Sequence, residues 1–355
     1  MATISLCMIV KNEEAMLDRC LSCVADLVDE IIIADTGSTD KTREIAAKYT
    51  DKIHHFDWVD DFGAARNFSF SHATKEWILW LDADDYLREI DRENLKKLKT
   101  LLTPDLDAVF CQYNYIYDSA GKCTAYFDRE RLVKNDGKPR WIGVIHECME
   151  IRGPTMRSDF EICHGRVHIN TGRNVKIFER MLKDKREFSP RDMFYFGKEL
   201  NEIGRIQDAQ VWFEKFLAQP GGWMEDKIYA CYCLGTSYKG EAALHALFRS
   251  FLYDAPRPNI CCAMGDRFLE SEKYQIAAYW YRLAFTAPAG GGFILPEFSG
   301  YIPAMQLVLC HSYMGDMARA EEYNEVAAQF KPDDVSIEHN RKFFADSKRC
   351  KKCCL

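Results

Sequence analysis

Hydrophobic positions along the chain follow two rhythms, with the change near residue 175. Residues 3–10, Thr-Ile-Ser-Leu-Cys-Met-Ile-Val, form a nearly continuous apolar run that predicts a buried strand. Asn12 stands where a helix N-cap would, and Glu13 and Glu14 suit a first helical turn. Leu17, Cys20, Leu21, Val24 and Val28 then recur at the three- and four-residue steps of one helix face. A second apolar run, Ile31-Ile32-Ile33-Ala34, stops at Asp35-Thr36-Gly37-Ser38-Thr39-Asp40, and a helical stretch through Ile45, Ala46 and Tyr49 follows. Further strands are expected at 53–56 and 77–81. This βαβ order predicts an α/β domain whose mostly parallel sheet is covered by helices. Ligands in such sheets bind beyond the carboxyl ends of the strands. Three polar clusters fall there: Lys11 to Glu14, Asp35 to Asp40, and Asp82 to Asp85.

Beyond residue 175 the pattern is one of long amphipathic helices with internal repetition. Gly204, Gly240 and Glu272 each precede a proline by 16 positions (Pro220, Pro256, Pro288), and Gly315 precedes Pro332 by 17. Ala209, Ala277 and Ala320 occupy equivalent small-residue places, while His245 breaks the pattern in the second copy. Copies lie 36, 32 and 43 residues apart, and a Gly-rich insertion at 289–293 accounts for the widest interval. Helix-turn-helix units of this length resemble tetratricopeptide repeats, with an irregular helical bundle as the alternative. The expected organisation is an α/β domain over 1–175, an all-α repeat domain over 176–345, and a Cys/Lys-rich, frayed tail over 346–355.

Composition narrows the function classes. A formal charge of −7 over 355 residues argues against a nucleic-acid surface built on bulk positive potential. The opening residues lack the basic and long apolar regions of a signal peptide, and no uninterrupted run of about 18 apolar residues predicts a membrane span. A cytoplasmic protein is expected, in which the 15 cysteines are reduced thiols. Cys231-x-Cys233, Cys261-Cys262 and the Cys350 to Cys354 group do not have zinc-site spacing.

The candidate chemistry centres on Trp80-Leu81-Asp82-Ala83-Asp84-Asp85, where an apolar strand runs into three crowded carboxylates. Such charges raise one another's proton affinity unless a cation or hydrogen bonds accept them. Mn²⁺ or Mg²⁺ fits, with substrate phosphates completing the shell, so a diphosphate substrate is implied. The alternative is an acidic turn that caps the next helix. Asp35 closes the second strand where a carboxylate can receive a ribose or base. Arg66, in Asp61-Phe62-Gly63-Ala64-Ala65-Arg66-Asn67, offers a planar fork for a phosphate or for a metal-ligating carboxylate. Farther on, Arg140-Trp141-Ile142-Gly143-Val144-Ile145-His146-Glu147 supplies a carboxylate, Glu147, suited to removing an acceptor proton. Cys163-His164-Gly165-Arg166-Val167-His168 supplies an imidazole, from His164 or His168, as a further metal ligand or leaving-group contact. Arg173 and Lys176 add positive charge for a diphosphate.

In this order, the first strand with its Lys11-Asn12-Glu13-Glu14 end, the Asp35 loop, the Arg66 segment and the Asp82 cluster resemble the family 2 glycosyltransferases with a GT-A fold, over about residues 3–175. The resemblance implies that Val10, Glu13, Asp35, Arg66 and Asp82 hold a UDP-sugar donor. It also implies that Asp82 and Asp84, as the family's Asp-x-Asp motif, hold a divalent cation with His164, and that Glu147 is the base of an inverting transfer. Many members have Glu-Asp where this chain has His146-Glu147. Joined to helical repeats, the domain resembles peptide S-glycosyltransferases of the sublancin type and also lipopolysaccharide-core glucosyltransferases. A peptide or protein acceptor is favoured over a saccharide, and the repeats offer a surface for self-association. A nucleotidyltransferase is the poorer reading, because no basic Gly-rich phosphate loop follows the first strand. A repeat-based interaction protein with an inactive sheet domain is the alternative outside enzymes.

Overall fold

The computed structural model describes all residues except 119–120, 139, 166–171, 293–294 and 354–355, together with the side chains of 348–353. His168 therefore lies outside the described residues. Two units divide the chain, Met1–Arg186 and Glu187–Leu355.

In the first unit the apolar runs become β1 (Ile4–Val10), β2 (Glu30–Asp35), β3 (Ile53–His55) and β4 (Trp77–Trp80). They are joined by β5 (Asp85–Tyr86), β6 (Ala108–Tyr117), β7 (Cys123–Lys134) and β10 (Thr155–His164) in one sheet of order β3-β2-β1-β4-β7-β6-β10-β5. A separate small ribbon pairs β8 (Trp141–Ile142) with β9 (Cys148–Met149). Four of the seven neighbouring pairs are parallel, which agrees with the expected mostly parallel sheet. The long β6–β7 hairpin is an antiparallel addition that the apolar pattern does not announce.

Side-chain alternation gives the sheet two cores. Leu6, Met8, Ile31, Ile33 and Leu79 pack with Leu17 and Leu21 of α1 (Leu17–Ser22) and with Leu95 and Leu98 of a later helix, Glu89–Leu101. Cys7, Ile32, Ile78 and Trp80 face the other way, toward Phe70, Trp141 and Met149. Helix α2 is Thr42–Ala46, α3 is Phe62–Ser71, α4 is Glu89–Leu101 and α5 is Arg173–Lys183. The unit boundary leaves α5 in the first unit, whereas the sequence reading divides the chain at 175.

One local expectation fails. Asn12 does not cap a helix: it adopts φ 55°, and the first helix begins only at Leu17. Its side chain accepts from Thr39 N at 2.8 Å, and its own N–H donates to Ser38 Oγ at 3.1 Å. The loop after β2 thus competes successfully for the groups a cap would have used.

Glu30, at the start of β2, ties four segments together. It accepts from Ser5 Oγ and Lys52 Nζ, and from Thr74 N and Oγ1, the last two at 2.9 Å. Burial alone would raise its pKa, but Lys52, Ser5 and Thr74 outweigh that and bring it down to about 2.

The second unit is a series of helical hairpins: α6 (Pro190–Glu202) with α7 (Ile206–Ala218), α8 (Met224–Ser237) with α9 (Gly240–Arg249), α10 (Pro258–Glu270) with α11 (Tyr274–Ala284), and α12 (Tyr301–Tyr313) with α13 (Met317–Phe330). This matches the tetratricopeptide-like expectation. The repeat landmarks Gly204, Gly240, Glu272 and Gly315 are the left-handed residues at the hairpin turns, with φ of 81°, 59°, 57° and 79°. Glycine suits three of these positions; the glutamate does not. Ala209, Ala277 and Ala320 are buried. The last helix, α14 (Val335–Cys353), runs through residues the sequence reading treats as a frayed tail.

Two predictions follow from these local energetics. Glu272→Gly is expected to raise the stability of the helical unit by about 1 kcal/mol, read as an increase in urea midpoint. Glu30→Gln is expected to lower stability near pH 7 by about 2 kcal/mol. Since the folded pKa of Glu30 lies below its ordinary value, its contribution is complete above about pH 5 and fades as pH falls toward 2, so urea titrations near pH 7 and near pH 3 should show the gap closing.

Candidate active site

A cleft of ≈ 820 Å³ opens past the carboxyl ends of β1, β4 and β10. Val10 to Glu13 reach it from β1, Asp82 to Asp84 from β4, and His164 from the last position of β10. Arg66 of α3 and Glu147, just before β9, complete the set of expected residues on its wall. Asp35 is the exception. It is 1% exposed, accepts from Ser38 N at 3.0 Å, and leaves Thr36 as the residue of that loop on the cleft wall.

Arg66 is the hub of the site. Its Nε donates to Glu147 Oε1 at 2.5 Å and its Nη2 to Asp82 Oδ1 at 2.8 Å, while its guanidinium lies over Trp80 and Trp141, 4.7 and 4.9 Å from the ring centroids. Burial disfavours the charge on Arg66, but Asp82 and Glu147 more than offset that and raise its pKa. Burial would likewise raise the pKa of Asp82, yet the Arg66, Arg131 and Arg129 charges hold it well below the usual carboxylate range. Among the described residues, no protein group pairs with Glu147 Oε2.

Local backbone geometry delivers these groups. Asp61 caps α3 by accepting from Ala64 N at 2.8 Å, and Phe62 N donates to Val144 O at 2.8 Å. A Cβ on Gly63 would meet Gly143 O at 2.4 Å, so glycine is needed for helix and loop to approach this closely. Asn67 completes the docking, with Oδ1 accepting from Arg140 N and Trp141 N, each at 3.0 Å. The segment carrying Glu147 is thereby fixed against the helix carrying Arg66.

The carboxylate and imidazole ligands group differently from the expected Asp82, Asp84 and His164. Antiparallel pairing of β5 with β10 sets Asp85 opposite His164, and ligand atoms of Asp84, Asp85 and His164 lie within 4.8 Å of one another. Asp85 is fully buried and occupied by donors: Arg131 Nη1 at 2.8 Å, Tyr113 Oη at 2.8 Å and Asp82 N at 2.9 Å. Asp84 and His164 face the cleft instead. Burial, with the Asp82 and Asp85 charges adding to it against His164, raises the pKa of Asp84. Burial would lower that of His164, but the neighbouring Asp85, Asp84 and Asp82 carboxylates raise it. Crowded carboxylates beside an imidazole are a donor set of the kind that suits a hard divalent cation, and of the three it is Asp84 and His164 that line the cleft.

Several wall residues were not singled out from sequence. Trp58 and Phe62 form an edge-on aromatic pair with centroids 4.7 Å apart, and Arg129 lies 4.8 Å from the Trp80 ring. Arg173 is on the wall, as its charge had suggested. Asn12, Asp60 and His146 all line the cleft with positive φ, of 55°, 56° and 50°. Asn, Asp and His are the side-chain-bearing residues found most often in this region, but residue type alone does not say which of them will adopt it.

Removing the hub should unbalance both acids. Arg66→Gln is expected to destabilise the chain by about 3 kcal/mol. Adding Glu147→Gln should restore part of that loss, so a chemical-denaturation cycle over the four proteins should give a non-additive coupling of at least about 1 kcal/mol.

Comparison with known proteins agrees with this geometry. The profile of glycosyl transferase family 2 matches residues 5–182. The SPbeta prophage-derived glycosyltransferase SunS of Bacillus subtilis is 29% identical over 227 residues, which is 60% of this chain and 53% of SunS. A TPR repeat-containing protein of Synechococcus elongatus is 55% identical over 87 residues, which is 24% of this chain and 22% of that protein. Matched stretches thus span about half or less of these relatives. Glucosyl-3-phosphoglycerate synthase from Mycobacterium tuberculosis, solved with Mg²⁺ and uridine diphosphate, overlaps 32% of this chain and 44% of its own at 22% identity and a TM-score of 0.28, too limited to carry a substrate over. Because the family profile covers half of the chain and nearly all of its first unit, the chain belongs to glycosyl transferase family 2.

Proposed function

We propose that the chain transfers a sugar from a UDP-sugar to a nucleophilic acceptor, with inversion at the anomeric carbon. The observation carrying this reading is the guanidinium of Arg66, which joins a donor-side carboxylate, Asp82, to a carboxylate with one open oxygen, Glu147, on a single cleft wall. Asp84 and His164 would hold a divalent cation, which when bound offsets charge gathering on the departing diphosphate. Val10, Glu13 and Thr36 line the end of the cleft formed by β1 and β2, where the nucleotide would lie. Glu147 Oε2 would take the acceptor proton as the acceptor bonds to the anomeric carbon and the bond to the diphosphate oxygen breaks. Trp58 and Phe62 give the acceptor side an aromatic wall. The helical repeats, and the resemblance to peptide S-glycosyltransferases, support a peptide or protein acceptor over a saccharide.

The test is donor turnover with a panel of UDP-sugars, read by mass spectrometry with peptide and saccharide acceptors. Glu147→Gln is expected to lower kcat by about 100-fold or more with donor KM little changed. Asp84→Asn should weaken metal activation by about 10–100-fold, and EDTA should abolish turnover until Mn²⁺ is restored. Unchanged rates in both folded variants would reject the assignment, and a saccharide that reacts where peptides do not would replace the acceptor.

A further inference from the structure

Tyr113 belongs to none of the motifs that announce the site, yet its hydroxyl lies between two of the groups that define it. It is 4% exposed, on β6, with its oxygen 2.8 Å from Asp85 Oδ1 and 2.9 Å from His164 Nδ1. Asp85 can only accept in this arrangement, since its Oδ2 already receives Arg131 Nη1 and Asp82 N. The single phenolic proton must therefore go to Asp85, and the phenolic oxygen is left as an acceptor for His164. Nδ1 of His164 then has to carry a proton. Among the described residues no protein partner reaches the ring's other nitrogen, Nε2, and His164 lines the cleft. Tyr115 stacks on the imidazole with centroids 5.4 Å apart and planes 21° apart, which limits rotation of the ring.

We propose that Tyr113 is a positioning residue that holds neutral His164 in its Nδ1–H tautomer and so presents an unprotonated Nε2 to the cleft as a ligand for a hard divalent cation. A hydrogen bond at one ring nitrogen sets what the other can do, and such outer contacts commonly govern metal affinity. Arg131 supports the arrangement from behind: it is fully buried, pairs with Asp85, and lies 4.3 Å from the Tyr113 ring centroid and 3.9 Å from that of Trp80. The metal part of this proposal rests on the function proposed above; the tautomer part does not.

The conservative test is Tyr113→Phe, which removes the hydroxyl and keeps the ring that packs against Phe127 and Arg131. In full-length protein labelled with ¹⁵N-histidine, metal-free and near pH 9, His164 is expected to show the Nδ1–H coupling pattern, assigned by its loss in His164→Gln. Tyr113→Phe should move that signal toward the Nε2–H tautomer and weaken Mn²⁺ binding, followed by electron paramagnetic resonance, by about 10-fold. Donor turnover at saturating Mn²⁺ should recover to within a few-fold, so the defect lies in metal affinity. An Nε2–H pattern in the unsubstituted protein overturns the proposal whether or not the variant folds. An unchanged tautomer and unchanged Mn²⁺ affinity in a folded Tyr113→Phe protein also overturns it. If the unsubstituted protein binds no Mn²⁺, the metal role fails for the whole site, and the tautomer pattern still decides what Tyr113 does.

Discussion

The Arg66 guanidinium is the interaction on which the cleft depends. It joins α3 to residues 16 and 81 positions away, Asp82 past β4 and Glu147 before β9. Burying the ionised Arg66 and Glu147, with Asp82 only half-buried beside them, removes two charges from water at a cost of several kcal/mol each. Here the cost is offset by two charge-assisted hydrogen bonds and by the faces of Trp80 and Trp141 on the cation. Without the cation the two carboxylates would repel and Glu147 would have nothing to orient it. The Asp82 end and the Glu147 end of the cleft are therefore not independent: one side chain sets the position of both.

What could be read from sequence follows from whether the governing contact is local. The strands β1, β2 and β4 were legible because they are covered on both faces and so appear as unbroken apolar runs. Crowded acids at the end of β4 were legible because nothing in packing asks for them. Asn12 misled because its neighbours mimic a helix start, while the groups that claim it, Ser38 and Thr39, come from another loop. Arg131 and Tyr113 were invisible for the same reason. An arginine in a strand is expected at the surface; this one is buried because Asp85, 46 positions earlier, awaits it. The grouping of Asp84, Asp85 and His164 likewise arises only when β5 pairs with β10.

In the helical unit legibility came from repetition. The landmark positions mark a backbone requirement, a left-handed residue between paired helices, which recurs even where the sequence departs from glycine at Glu272. A second regularity lies inside the hairpins. A Cβ on Gly197 would sit 2.9 Å from the Phe213 ring, and one on Gly265 would sit 2.5 Å from that of Tyr281. In both cases the large partner comes 16 positions after the glycine, so close approach of the first helix to an aromatic on the second is part of the repeat. The second hairpin solves the same problem with other sizes, Gly235 facing Leu247.

The strained residues on the cleft wall bear on how the site would act. Left-handed backbone costs up to about 1–2 kcal/mol for a residue with a side chain, and less for Asn and Asp. Asn12, Asp60 and His146 accept that cost together, and the surrounding contacts oppose its relief. Asn12 is held by Ser38 and Thr39; Asp60 accepts from Trp58 Nε1 at 2.8 Å and pairs with Arg180; His146 is followed directly by Glu147, whose carboxylate is held by Arg66. Contacts of this kind hold the wall in one arrangement in the folded chain. Fixed donors and charges stabilise a transition state more than mobile ones do, because no reorganisation is needed at the moment of reaction. A cleft with Arg66 at its centre and three left-handed residues pinned on its wall is therefore arranged to keep its charges in place.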